Sequence, residues 1–233
     1  MRECAKHTHT SQMRESSFVS GEIQICDKIL FMDDAYLIEA AQGGDLDSFN
    51  RLVLAYQDFV YNQAYRVMGD EAAAADAVQE AFVAAYLNIR AFRGGSFRAW
   101  LFRIVTNACY DELRQRKRRP STSLEPLDDS GEEIESPQWL ADPGEGPEEA
   151  LVRTQLANAI QHCLEELPQE YRTVAVLVDV QGMDYDDAAQ VIRKPLGTVK
   201  SRLSRARMRL RDCLQGFGEL LPVVFRLERE GSE

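Results

Sequence analysis

The chain has 233 residues, 45% of them hydrophobic and 28% charged, with a formal net charge of −11. That length allows one large domain or two small ones with real cores. No stretch approaches the roughly 18 consecutive apolar residues of a membrane span, and the N-terminus lacks the order of a signal peptide, so a cytoplasmic chain without membrane insertion is expected.

An acidic total argues at first against nucleic acid, because affinity for phosphate comes from basic surface. The distribution reverses this. Between Pro120 and Ala150 there are ten acids (Glu125, Asp128, Asp129, Glu132, Glu133, Glu135, Asp142, Glu145, Glu148 and Glu149) and no Lys or Arg, so this segment carries −10 of the −11. The remainder is nearly neutral, with its basic residues bunched.

The five cysteines (Cys4, Cys26, Cys109, Cys163 and Cys213) are odd in number, scattered and without a CxxC pair. Neither a disulfide framework nor a zinc site is expected from that spacing, and reduced thiols are the default. Cys4, His7 and His9 lie close together in a polar tail and are given no metal. With histidines only at 7, 9 and 162 and no nucleotide-cradling glycine loop, no catalytic residue and no cofactor is expected.

In chain order, residues 1–33 are polar and without sustained period. Met32 stands just before the first clear helix, which leaves a tail and a misplaced start codon both open. From 34 to 119 apolar residues recur at helical spacing, punctuated at Gly43-Gly44, Gly69-Asp70 and Gly94-Gly95, which predicts an all-helical domain. The span 120–150, with prolines at 120, 126, 137, 143 and 147 and one sign of charge, reads as an extended, flexible acidic linker. Helical periodicity returns over 151–215, and 216–233 forms a C-terminal extension. The fold class is therefore all-α: two small helical domains on a long acidic linker.

In DAVQEAFVAAYLNI (76–89) helical winding turns Val78, Phe82, Ala85 and Ile89 inward. Val83 and Leu87 project from another face beside Gln79 and Glu80, as a partner-binding strip or as packing against a neighbouring helix. FRGGSFRAWLFRIVTNACYDELRQRKRR (92–119) places Leu101, Val105, Ala108 and Cys109 inward and collects Trp100, Arg103, Asn107, Tyr110, Asp111 and Arg114 outside. Bases of single-stranded DNA stack on exposed aromatic rings for ~1–3 kcal/mol each, while arginines hold phosphates and an amide reads a base edge. For Trp100 and Tyr110 taken alone, a core role is equally compatible with the pattern.

Further on, Pro168 suits the first turn of a helix that runs to about Val180 and ends at Gly182. Asp184 is placed to cap a short helix through 192. After a break at Pro195 and Gly197, Thr198 is placed to cap a long one. Two helices joined by a tight turn make a helix-turn-helix. Winding the second puts Val199, Leu203, Ala206 and Leu210 on one stripe and Lys200, Ser201, Ser204 and Arg205 on the other side. Eight Lys or Arg and no acid lie between Arg193 and Arg211, a field suited to phosphate rather than a merely solvated face.

On these motifs the chain resembles the extracytoplasmic-function sigma factors of the sigma-70 family. DAVQEAF and GSFRAWLFRIVTNACYDELRQRKRR are similar to region 2; LPQEYRTVAVLVDVQGMDYDDAAQVI with LGTVKSRLSRARMRLR is similar to region 4. The resemblance implies a subunit that binds core RNA polymerase, recognises promoter DNA, assists strand opening and promotes initiation. Region 2 would dock on the clamp of the largest subunit through Asp76, Gln79, Glu80 and Val83. It would capture downstream, minus-ten-type bases through Trp100, Arg103, Asn107, Tyr110, Asp111 and Arg114, with Phe92 to Phe97 forming the base pocket. Region 4 would bind the flap of the second-largest subunit and read the upstream, minus-35-type duplex through Thr198, Val199, Lys200, Ser201, Arg202, Ser204 and Arg205. The acidic linker would thread the channel later used by RNA, and an anti-sigma factor is implied as a further partner. The alternative is a stand-alone helix-turn-helix regulator, against which the aromatic and arginine face near Trp100 speaks.

Overall fold

A computed structural model describes residues 34–118 and 147–220, and among these there are eight α-helices and no strand. The N-terminal tail, the acidic run up to Gly146 and the end of the chain, with the readings made for them, lie outside the described residues. The helices are α1 (34–42), α2 (Leu46–Met68), α3 (Glu71–Asn88), α4 (Phe97–Arg118), α5 (Pro147–Glu165), α6 (Gln169–Ala175), α7 (Tyr185–Ile192) and α8 (Leu196–Leu214). Helix α5 begins inside the expected linker: Pro147 takes its first position, where a missing amide proton costs nothing.

Two compact units divide the chain, 1–55 and 56–233. In the first, the α1–α2 turn passes through Gly44 at φ 101°, and Asp45 accepts hydrogen bonds from the Ser48 amide (3.2 Å) and hydroxyl. That hydroxyl is the main cause holding the Asp45 carboxyl below its ordinary range. Leu37, Ala41, Phe49 and Leu52 are buried.

In the second unit, Val60, Ala64 and Val67 of α2 are fully buried. Gly69, at φ 74°, turns the chain, and Asp70 caps α3 by accepting the Ala73 amide at 2.7 Å. Helix α3 buries a ridge of alanines, Ala77, Ala81 and Ala85, ahead of Ile89, and packs on α4. The sequence expectation is corrected here: Val78 and Phe82 are half-buried, because the small residues permit the close helix approach and the larger ones flank it. Helix α4 buries Leu101, Val105 and Cys109 as expected, together with Phe97 and Phe102, while Ala108 is half-buried. Gln63, wholly buried, donates to the Thr106 hydroxyl (2.6 Å), which donates on to the Phe102 carbonyl (2.7 Å), while the Gln63 Oε1 has no hydrogen-bond partner among the described residues.

The C-terminal helices surround Val174, Val176, Leu177, Ala188, Val191, Val199, Leu203 and Ala206. After Pro168, α6 runs into one turn of π-helix (Val176–Val180) and stops at Gly182, φ 65°. Asp184 accepts the Asp187 amide at 2.7 Å and caps α7 as anticipated. The following turn uses Arg193 in the left-handed region, φ 51°. Helix α8 starts at Leu196 with Pro195 in the cap position, so Thr198 lies inside the first turn and is not the cap. Proline, already at φ −57°, sets the start without a side-chain bond.

The expectation of reduced thiols throughout is also corrected: Cys163 and Cys213 form a disulfide, and Cys109 is free and buried. Fifty residues separate the partners, which meet because α5 and α8 pack together, something spacing alone does not reveal.

Candidate nucleic-acid interface

The helix-turn-helix edge follows from the amphipathic winding of α8. Val199, Leu203 and Ala206 are driven into the core beside α6, and Leu210 is half-exposed. Lys200, Ser201, Ser204 and Arg205 face solvent. Val199, included among the implied duplex contacts, is 0% exposed and belongs to the core. Thr198 and Arg202 are half-exposed, and Arg202 is paired with Glu170. Arg207 is likewise paired with Asp179. Lys200 and Arg205 form no ion pair among the described residues. The Lys200 ammonium sits 5.9 Å from the centre of the Tyr185 ring, and Arg205 donates to the Tyr171 hydroxyl at 3.2 Å. Exposed cations beside hydroxyls at the start of a helix can enter a major groove, holding phosphates and reading base edges.

The second surface lies where α4 begins. Phe92, Phe97 and Trp100 form an aromatic cluster with ring centres 5.4–5.6 Å apart, and Tyr56 meets Phe97 edge-on at 5.5 Å. Phe97 is buried; Phe92 and Trp100 are half-exposed. Phe92 and Trp100, together with Arg93, Ser96, Arg103 and Gln190, line a cleft of about 240 Å³. Gly94 and Gly95, at φ 95° and 90°, shape its rim in a conformation other residues rarely adopt. A cleft of aromatic walls with arginines at its mouth offers a base a stacking face and its phosphate a cation.

The remaining residues of the expected outer face of α4 divide. Asn107, Asp111 and Arg114 are exposed, with Arg114 paired to Asp111 at 2.9 Å. Tyr110 points instead at α6, its hydroxyl 2.8 Å from that of Thr173, and burial pushes its phenol pKa up. The contact is one of several between the N- and C-terminal helices. Arg66 donates to Gln161 (3.2 Å), Arg172 to the Val67 carbonyl (2.7 Å), Gln181 to the Phe59 carbonyl (3.2 Å) and Arg98 to the Gln181 carbonyl. Helix α7 thus packs on α4 and brings Gln190 to the cleft. Long-range hydrogen bonds of this kind leave no periodic trace in sequence, and the role of Gln190 was missed for that reason.

On α3, Asp76, Gln79, Glu80 and Val83 are all exposed. Val83 and Leu87, at 56% and 73% exposure, form an apolar strip next to the acids. Among the described residues no helix is long and apolar enough to cross a membrane, and no cluster of His, Cys, Asp or Glu is placed to hold a metal.

Residues 52–119 match the family described as sigma-70 region 2, and residues 157–210 match sigma-70 region 4. The chain belongs to the sigma-70 family, the sigma factors of RNA polymerase. Within that family it falls among those of the extracytoplasmic-function type. It is 37% identical to "ECF RNA polymerase sigma factor SigW" of Bacillus subtilis over 76% of this chain and 95% of that one. It is 38% identical to "RNA polymerase sigma-H factor" of Pseudomonas aeruginosa over 78% and 94%. Its fold is similar to that of CnrH, solved in complex with the cytosolic domain of CnrY, with a TM-score of 0.57 at 28% identity over 78% of this chain and 97% of that one. The sigma factor RpoE of Bartonella quintana, solved with the anti-sigma factor NepR, gives 0.56 at 26% identity over 72% and 98%. These findings favour the sigma factor over the stand-alone regulator.

Proposed function

We propose that this chain acts in the cytoplasm as a promoter-recognition subunit of RNA polymerase, carries out no catalysis itself, and reads two promoter elements with the two surfaces described above. Lys200, Ser201, Ser204 and Arg205 enter the major groove of the upstream duplex, and the cleft of Phe92, Trp100 and Arg103 takes an unstacked base of the downstream element. Asn107 and Arg114 extend the downstream track. The acidic and apolar strip of Asp76, Gln79, Glu80, Val83 and Leu87 docks on the polymerase clamp; the C-terminal helices meet the flap; residues 120–146 link the two reading domains through the channel later used by RNA. An anti-sigma factor is a further expected partner, as in the complex of RpoE with the anti-sigma factor NepR.

The observation that carries this reading is that one chain presents both a cationic, hydroxyl-rich helix start for duplex DNA and an aromatic–arginine cleft for opened DNA. A duplex-binding repressor has no use for the second. Engaging both requires α6 and α7 to move away from α4, since Tyr110 is tied to Thr173 and Gln190 reaches the cleft.

The test is run-off transcription from a library of promoter fragments with purified core polymerase, comparing wild type with the Lys200→Ala/Arg205→Ala double variant. Start sites that need the wild-type protein and weaken with the variant are expected. Absence of core association and of transcripts would return the stand-alone regulator.

A further inference from the structure

The C-terminal end of the recognition helix is fastened to α5 at two adjacent points. The Cys213 sulfur is bonded to that of Cys163, and Phe217, in the turn that follows α8, meets His162 edge-on with ring centres 5.8 Å apart. Cys163 is 0% exposed, between buried Ala159 and Leu164, whereas Cys213 is half-exposed. The 50-residue separation means that the covalent ring encloses α6, α7 and nearly all of α8, the entire helix-turn-helix. Val199, Leu203 and Ala206 pack beneath α6, and the reading edge at Lys200 and Arg205 lies near the start of α8, away from these sulfurs along the helix. They act on the far end of the same helix.

We propose that Cys163 and Cys213 are an oxidisable pair that couples the hold on the recognition helix, and through it promoter binding, to the surrounding thiol redox state. The coupling to promoter binding rests on the sigma-factor reading; the pair itself does not. The chemistry follows from the unequal exposure. Hydrogen peroxide meets the reachable Cys213 thiolate, which attacks one peroxide oxygen and, with a proton, gives a sulfenic acid and water. The Cys163 thiol then attacks the Cys213 sulfur, the S–S bond forms, and hydroxide leaves as a second water with the thiol proton. Two thiols have lost two electrons and two protons to one peroxide. Reversal starts at the same sulfur: an external dithiol attacks Cys213, Cys163 leaves as thiolate and is protonated, and the mixed disulfide resolves on the reductant's second thiol. In the oxidised state α8 is anchored at its end and its start is held in register for the groove. In the reduced state the last turn of α8 and the Phe217 turn fray from α5, and the upstream element is bound more weakly, by about fivefold or more.

The experiment uses the full-length chain equilibrated with peroxide or with a dithiol, quenched, alkylated and peptide-mapped, then added to core polymerase for transcription from the promoter library. A cross-linked peptide joining Cys163 to Cys213 is expected after oxidation, with alkylation at both after reduction. At least about fivefold more transcript is expected from the oxidised protein. Cys163→Ser and Cys213→Ser should stay at the reduced level in both states, and Cys109→Ser should respond as wild type does. Wild-type protein compared in its two states needs no substitution and decides the matter even if a serine variant does not fold. Both thiols alkylated after peroxide, bonding to Cys4, Cys26 or Cys109 instead, or equal transcription from the two states would overturn the proposal. A mapped Cys163–Cys213 bond with no transcript from either state would overturn the sigma-factor reading while leaving the pair in place.

Discussion

Salt dependence separates the cations that work on DNA from those already neutralised within the protein. Of the basic residues on α8, Arg202 and Arg207 are paired with Glu170 and Asp179, while Lys200 and Arg205 carry exposed charge and have no carboxylate partner among the described residues. Each phosphate neutralised contributes a slope of about −0.9 in log K against log salt. Replacing Lys200 and Arg205 by Ala should therefore flatten the slope by about 1.8. Between 50 and 200 mM salt, a fourfold change, the wild-type protein should lose about 12-fold more affinity than the double variant. The same reasoning gives the opposite sign for Asp179→Asn: releasing Arg207 should steepen the slope by up to about 0.9 while leaving stability within about 1 kcal/mol, as for other exposed pairs. Fluorescence anisotropy of a labelled promoter duplex titrated with the sigma–core complex at several salt concentrations measures both. A double variant with the wild-type slope would show that α8 does not lie along the phosphates as described.

Four further outcomes are expected. Tyr110→Phe removes the 2.8 Å bond to Thr173, worth about 1 kcal/mol, and should shift the balance between docked and parted halves about fivefold, read by energy transfer between dyes on α3 and α7. Asp184→Ala, which strips the cap from α7, should lower unfolding free energy by about 1 kcal/mol in urea titration, with Asp184→Asn restoring most of it. Asp70 has its pKa held below the ordinary value, first by the Ala73 amide and then by Arg116. The unfolded carboxyl binds its proton more readily, so the cap contributes fully above about pH 4 and fades as pH falls through the folded value; Asp70→Asn should remove that part of the acid dependence of the melting temperature. Leu87→Lys places charge on a residue 73% exposed and should leave stability unchanged while weakening core binding about tenfold, or 1.4 kcal/mol, in a pull-down titration.

Helix ends were readable where a residue's own chemistry sets them: Asp184 as a cap, Gly69-Asp70 as a turn and Gly182 as a stop, although the capping bond of Asp70 was not anticipated. The α8 stripe was readable because burial follows 3.6-residue winding. Thr198 misled because a hydroxyl near a helix start suggests a cap, whereas the fixed φ of Pro195 had already begun the helix one turn earlier. On α3, residue size competed with residue position, and the alanines won the interface because they bring two backbones together. What could not be read at all depends on distance in space rather than in sequence. Cys163 finds Cys213 across 50 residues, and Tyr110 finds Thr173 across 63. Tyr110 satisfied the pattern of an outward DNA-facing ring, and still its hydroxyl was claimed by another helix.

The docking of α7 on α4 has a thermodynamic corollary for the free protein. If the parted form is the one that grips a promoter, every dissociation constant measured on the isolated chain equals the intrinsic one divided by the fraction parted. A chain parted one time in a hundred would bind about 100-fold more weakly than its contacts warrant. Polymerase, by holding the halves separately, would restore that factor without touching DNA, whereas a ligand that grips both halves as they lie would enlarge the deficit. The same few hydrogen bonds around Thr173, Gln181 and Arg172 would then set how quiet the protein is on chromosomal DNA before it meets its enzyme.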